Sequence, residues 1–116
     1  MIPDYKNIAK KLKFEGRAFI NGKYVDAIDG KKFENINPAT GEILCTVVKC
    51  NHKDVDLAVK ASRKAFNSGV WSRTSPEFRK DILLKFAALL REHGEENSVL
   101  ECVDTGKLIG DCINEV

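Results

Sequence analysis

The periodicity of the sequence changes at Asn51, and this change limits the folds open to the chain. Before Asn51, short apolar runs are separated by turn residues every few positions; after it, apolar residues recur at helical spacing for the rest of the chain. A doubly wound sheet requires strands alternating with helices, whereas here all the strands come first. The fold class read from the residues is therefore an α+β arrangement, a short antiparallel hairpin or meander followed by three to four helices.

In "RAFINGKYVDA", Phe19 and Ile20 precede Asn21-Gly22, and Tyr24 and Val25 follow. Asn-Gly suits a type I′ turn because both central residues need positive φ, so two short strands are predicted around it. Asp29-Gly30 marks a second turn, Phe33 to Ile36 a third strand, Pro38-Ala39-Thr40-Gly41 a turn, and Ile43 to Val48 a last strand. Turns at these intervals predict an antiparallel meander.

Asn51 reads as a helix N-cap, with Asp54 three residues on as a capping-box acid. Val55, Val59, Ser62 and Phe66 then follow helical spacing, and Gly69 is the natural left-handed stop. Ser75-Pro76 opens a second helix with the stripe Phe78, Ile82, Leu83, Phe86, Leu90, which ends or bends at His93-Gly94. A third runs from Glu95 to Val103 with Val99, Leu100 and Val103 inward, and a fourth begins near the end of the chain. Apolar stripes this wide pack on a sheet, and the predicted strands are too few and too short to cover them. The helices therefore predict packing against material outside these 116 residues.

Composition excludes several function classes. Hydrophobic residues make up 43% and charged residues 31%, the balance of a globular domain. A net charge of +2 with mixed signs offers no electrostatic footprint for nucleic acid. Lys6, Lys10, Lys11, Lys13 and Arg17 read as a solvated terminal helix face. No apolar run approaches the ~18–20 residues of a membrane helix, and the N-terminus has no signal-peptide pattern, so a cytoplasmic protein without membrane partners is expected. The spacing of Cys45, Cys50, Cys102 and Cys112 matches no zinc knuckle, even with His52 beside Cys50, and four free thiols are expected.

Five motifs in order then carry a resemblance: Phe19-Ile20-Asn21-Gly22; Asn37-Pro38-Ala39-Thr40-Gly41-Glu42; "VDLAVKASRKAFNSGVWS"; Ser75-Pro76 with Arg79; and Asp104-Thr105-Gly106-Lys107. Together, from about residue 17 to about 113, they resemble the N-terminus of NAD(P)-dependent aldehyde dehydrogenases, in the broad-specificity branch that includes betaine-aldehyde and aminoaldehyde enzymes. The resemblance implies residues 1–16 as an N-terminal extension and 17–116 as the first part of a Rossmann-type coenzyme-binding domain. It also implies that the nucleophilic Cys, the general-base Glu and the coenzyme-binding Gly and Lys lie outside this stretch. The chain is then expected to contain no catalytic residue, to bind no NAD or NADP alone and to oxidise no aldehyde alone. Its expected partner is the missing C-terminal part; an alternative is a non-catalytic module docking onto full-length aldehyde dehydrogenase subunits.

Asp104-Thr105-Gly106-Lys107 first suggests a phosphate loop. That reading fails because Leu108 follows the Lys, the first Gly is missing and the preceding segment is helical. The resemblance implies instead that Gly106 closes a helix. It further implies that Asp104 helps hold a structural monovalent cation with the backbone oxygen near Ile36, completed by a ligand from outside the chain. A carboxylate and carbonyl oxygens suit a hard cation. The other reading of the residues is that Asp104 bonds turn amides. Leu108 departs from the Pro common at that position in the family.

Overall fold

The computed structural model describes residues 3–115; Met1 and Val116, the outer limits of the two expected segments, lie outside the described residues. Helix α1 (Tyr5–Lys11) comes first, capped by the Asp4 carboxylate on the Asn7 N–H. Strands β1 (Ala18–Ile20) and β2 (Lys23–Val25) follow, then β3 (Lys32–Ile36) and β4 (Ile43–Val48). Four helices complete the order: α2 (His52–Ser68), α3 (Pro76–Glu92), α4 (Gly94–Thr105) and α5 (Ile109–Glu115).

The first hairpin closes as its turn residues require. Asn21 and Gly22 both take positive φ, 53° and 78°, and Ile20 pairs with Lys23, Phe19 with Tyr24 and Ala18 with Val25. The strands form two separate two-stranded sheets, β1–β2 and β3–β4, rather than a continuous meander. The segment between β2 and β3 shows why. Gly30 N–H reaches back to the Ala27 carbonyl at 2.9 Å, while Ile28 N–H donates to the Asp54 carboxylate at 2.9 Å. That connection is anchored on α2, so β2 does not turn back along β3.

Local chemistry sets the helix limits. Asn51 Oδ1 accepts from the Lys53 N–H and Asp54 Oδ2 accepts from the Asn51 N–H, each at 2.8 Å, a complete capping box. Gly69 ends α2 in the left-handed conformation at φ 80°. Ser75 Oγ accepts from the Phe78 N–H at 3.2 Å and starts α3. His93 separates α3 from α4.

The chain divides into two compact units. One contains β1, β2, α2 and the first part of α3; its core is small, with Ala27, Val48 and Asp54 buried. The other contains α1, the turn between β3 and β4, the later part of α3, α4 and α5, with Ser98, Val99 and Cys112 buried. The helix stripes remain uncovered. Val55, Val59 and Phe66 on α2 are 55%, 56% and 61% exposed, and on α3 Leu83 and Phe86 are each 57% exposed. Of the three residues expected inward on α4, Val99 is buried, Val103 is half-buried and Leu100 is exposed.

Candidate functional site

The site is built on the end of α4. Gly106 adopts φ 77° and its N–H returns to the Cys102 carbonyl at 3.0 Å, closing the helix. A Cβ on Gly106 would meet Pro38 Cγ at 3.0 Å, so the Asn37–Glu42 turn packs directly against the helix end. That turn is itself closed by Asn37 N–H to Glu42 O and Gly41 N–H to Asn37 O, both 2.8 Å. Two motifs far apart in sequence therefore meet.

Asp104 faces strand β3, and Asn35 Nδ2 donates to its Oδ1 at 2.5 Å. The turn amides are served by other groups. Thr105 Oγ1 accepts from the Lys107 N–H at 3.3 Å and itself donates to the Glu101 carbonyl at 2.7 Å. The carboxylate thus holds a strand side chain, and the reading in which it bonds turn amides gives way to this contact. Ile36, named with Asp104 as a candidate cation ligand, follows Asn35 at the end of β3. Among the described residues, no cluster of three His, Cys, Asp or Glu side chains could hold a metal ion.

Lys107 has a different role from the one its place after Gly106 first suggested. Its ammonium donates to Glu115 Oε2 at 2.5 Å and to Glu101 Oε1 at 2.9 Å. These two hydrogen bonds, Glu115 first, push its pKa above the ordinary lysine value. An ammonium engaged with two carboxylates is committed to joining α4 to α5. Sequence reasoning missed this cluster because Gly106 breaks the helix between Glu101 and Lys107, leaving no i,i+4 spacing to read. Asn35, the one half-buried residue of β3, carried no sequence signal that would have singled it out.

All four cysteines are free thiols. Cys112 is fully buried, and burial raises its pKa; the Cys50 thiol is raised by desolvation and then by Asp54 and Asp29. Cys102 donates its thiol proton to the Lys107 carbonyl at 3.1 Å. A nucleophilic cysteine needs the opposite shift, toward the thiolate. At the start of α2 the Lys53 amide is already taken by Asn51 Oδ1.

Comparison with known proteins agrees with the two motifs that meet here. Residues 24–116 match the aldehyde dehydrogenase family. Aldehyde dehydrogenase 1 of Tanacetum cinerariifolium is 53% identical over 102 residues, 88% of this chain and 20% of that protein. Aminoacetaldehyde dehydrogenase of Pseudomonas aeruginosa is 45% identical over 109 residues, 94% of this chain and 22% of that protein. The crystal structure of P. syringae indole-3-acetaldehyde dehydrogenase in complex with NAD+ superposes with a TM-score of 0.92 at 44% identity, over 95% of this chain and 22% of that one. The chain thus spans about a fifth of the length of these relatives. No helix among the described residues is long and apolar enough to cross a membrane. By sequence over most of its length and by fold, the chain belongs to the aldehyde dehydrogenase family.

Proposed function

We propose that this chain forms the N-terminal part of the coenzyme-binding domain of an NAD(P)-dependent, aldehyde-oxidising enzyme, and that it turns over no aldehyde alone. One observation carries the reading. The apolar faces of α2 and α3 are more than half exposed at Val55, Val59, Phe66, Leu83 and Phe86, yet the backbone superposes on a fifth of a much longer enzyme. Helices apolar over broad faces are buried in finished proteins. Their cover is then the rest of the fold.

Coenzyme chemistry is not assigned to this chain's residues. A nicotinamide coenzyme, when bound, accepts the hydride, but the β4–α2 connection is capped by its own side chains and has no Gly-rich turn. The role of these residues is to hold the end of α4 and the Asn37–Glu42 turn in place. Asp104 and the Ile36 carbonyl are proposed to contribute two oxygen ligands to a monovalent cation, which the covering segment completes. The Asn35 contact supports this by bringing the carboxylate to the end of β3. Names of relatives such as aminoacetaldehyde dehydrogenase favour a small aminoaldehyde as substrate of the whole enzyme.

The test is complementation. Purified 1–116 with NAD+ or NADP+ and an aminoaldehyde is expected to give no reduced coenzyme. Co-expression with the P. aeruginosa relative lacking its matching segment is expected to restore turnover. Turnover by 1–116 alone overturns the proposal. Co-purification with full-length subunits, and not with the truncated one, favours the docking-module reading instead.

A further inference from the structure

Helix α2 has two opposite faces. Val55, Val59 and Phe66 form the apolar face that the rest of an aldehyde dehydrogenase fold would cover. Leu57, Lys60, Ala61 and Lys64 lie on the other side, at i, i+3, i+4 and i+7. This second face and the β1–β2 hairpin enclose an open groove of about 460 Å³, within the ~300–1,000 Å³ of small-molecule sites. Its floor is aliphatic, from Ile20, Val25 and Ile28 on the hairpin side and Leu57 and Ala61 on the helix. Strand register places Ile20 opposite Lys23, so the Lys23 ammonium rises from the same hairpin face that the floor uses.

Three ammonium groups, Lys23, Lys60 and Lys64, therefore border an apolar slot. Among the described residues none of the three forms an ion pair. The two carboxylates in the groove are engaged elsewhere. Asp26 pairs with Lys32 at 3.3 Å, and Asp54 is buried, accepting from Ile28 and Asn51 N–H groups. No buried side-chain nitrogen or oxygen among the described residues lacks a partner, so the floor offers no polar side chain that still needs one. Closing a protein layer over three unpaired ammoniums would cost several kcal/mol for each one desolvated. The rim therefore disfavours an apolar cover and favours an anionic occupant.

We propose that this groove binds an amphipathic carboxylate, its aliphatic chain on Ile20, Val25, Ile28 and Leu57 and its head between Lys60, Lys64 and Lys23. The chemistry on offer is a charged rim above a floor of hydrocarbon. A peptide would also bring backbone groups that the aliphatic floor leaves without partners. A straight-chain anion brings none.

The experiment uses the full chain with labelled Ile and Leu methyl groups, titrated with decanoate below its micelle concentration. Saturable shifts are expected at Ile20, Ile28 and Leu57, with decanol, which lacks the charge, binding about tenfold more weakly. The Lys60→Gln/Lys64→Gln variant keeps the dispersed methyl spectrum of the folded chain and loses about tenfold of the decanoate affinity, leaving decanol unchanged. Equal shifts at Leu83, Leu84 and Leu89, exposed around α3, mean general adsorption and overturn the proposal. So does equal affinity for decanoate and decanol. Methyl shifts seen only with anionic phosphatidylglycerol vesicles, and not with monomeric decanoate, also overturn it and assign the groove to a membrane surface.

Discussion

Asn35 on β3 donates its side-chain amide to the Asp104 carboxylate at the end of α4, at 2.5 Å and across 69 positions of sequence. This bond and the packing of Pro38 against Gly106 hold the strand turn and the helix terminus as one piece. Both belong to the same compact unit, whose buried side chains are few. A specific polar tie therefore matters more here than in a domain with a large core.

Asp104→Ala is expected to lower stability by about 1 kcal/mol. That is less than the ~1.5–3 kcal/mol of a bond to a charged group, because Asp104 is exposed. Asn35→Ala should cost a similar amount, and the double variant little more than either single one, since both remove the same bond. Urea unfolding midpoints of the four proteins measure this. Additive losses would show that the two side chains act separately.

Asp54 is the more costly residue to remove. It is 3% exposed and accepts from two backbone donors, Ile28 N–H at 2.9 Å and Asn51 N–H at 2.8 Å. Asp54→Ala takes the acceptor from two part-buried donors and removes half the capping box, a loss of about 1–3 kcal/mol. Asp54→Asn retains one acceptor oxygen and should lose about half as much. Amide exchange at Ile28 and Asn51 should quicken in both variants, and more in the alanine one.

What was legible in the sequence follows the range of the forces involved. Asn51, Gly69, Ser75 and Gly106 set helix ends through contacts within a few residues, so their roles could be read directly from residue types. The Asn21-Gly22 turn is equally local. The separation of the strands into two hairpins was not legible, because it depends on Asp54 reaching back 26 positions to Ile28. The Lys107 cluster was hidden for a similar reason: its carboxylates lie on two different helices, on either side of a glycine break. The candidate cation residues were named through family motifs, and nothing in their spacing shows that Asn35 would meet Asp104. The uncovered stripes were the exception among long-range features, since the excess of apolar helix surface over strand can be read without knowing any contact.

Two glycines should respond in opposite directions to alanine. A Cβ on Gly16 would overlap the Thr46 carbonyl oxygen, and Gly16 O accepts from the Val48 N–H at 2.8 Å. The backbone cannot retreat there without losing that bond, so Gly16→Ala is expected to cost about 1–3 kcal/mol. Gly110 lies within α5 and a Cβ there meets nothing within 4 Å. Gly110→Ala should stabilise by up to about 0.5 kcal/mol, less than the mid-helix preference of Ala over Gly because residue 110 lies in the first turn of α5. Thermal unfolding of both variants tests the pair; destabilisation by Gly110→Ala would mean that α5 is not helical at that position.

The last prediction concerns acid. Arg17 binds Glu15 through both guanidinium arms, Nε to Oε1 at 2.8 Å and Nη2 to Oε2 at 2.6 Å, and its backbone N–H adds a third bond to Oε1 at 3.0 Å. The side-chain bonds, then the backbone bond, lower the Glu15 pKa from 4.5 to about 2. Because the folded value lies below the unfolded one, the stabilisation is fully present above about pH 4.5. It is lost as the pH falls from there to about 2. The pair is exposed and screened by salt, so the effect belongs to low ionic strength. Carboxyl NMR should place the Glu15 midpoint near 2 in the native chain. In Arg17→Met it should return toward 4.5, since the bonds that favour the charged form are mostly gone. The stabilities of the native chain and Glu15→Gln should differ at neutral pH and converge in strong acid. An unchanged Glu15 midpoint in Arg17→Met would show that the guanidinium is not what holds the carboxylate charged.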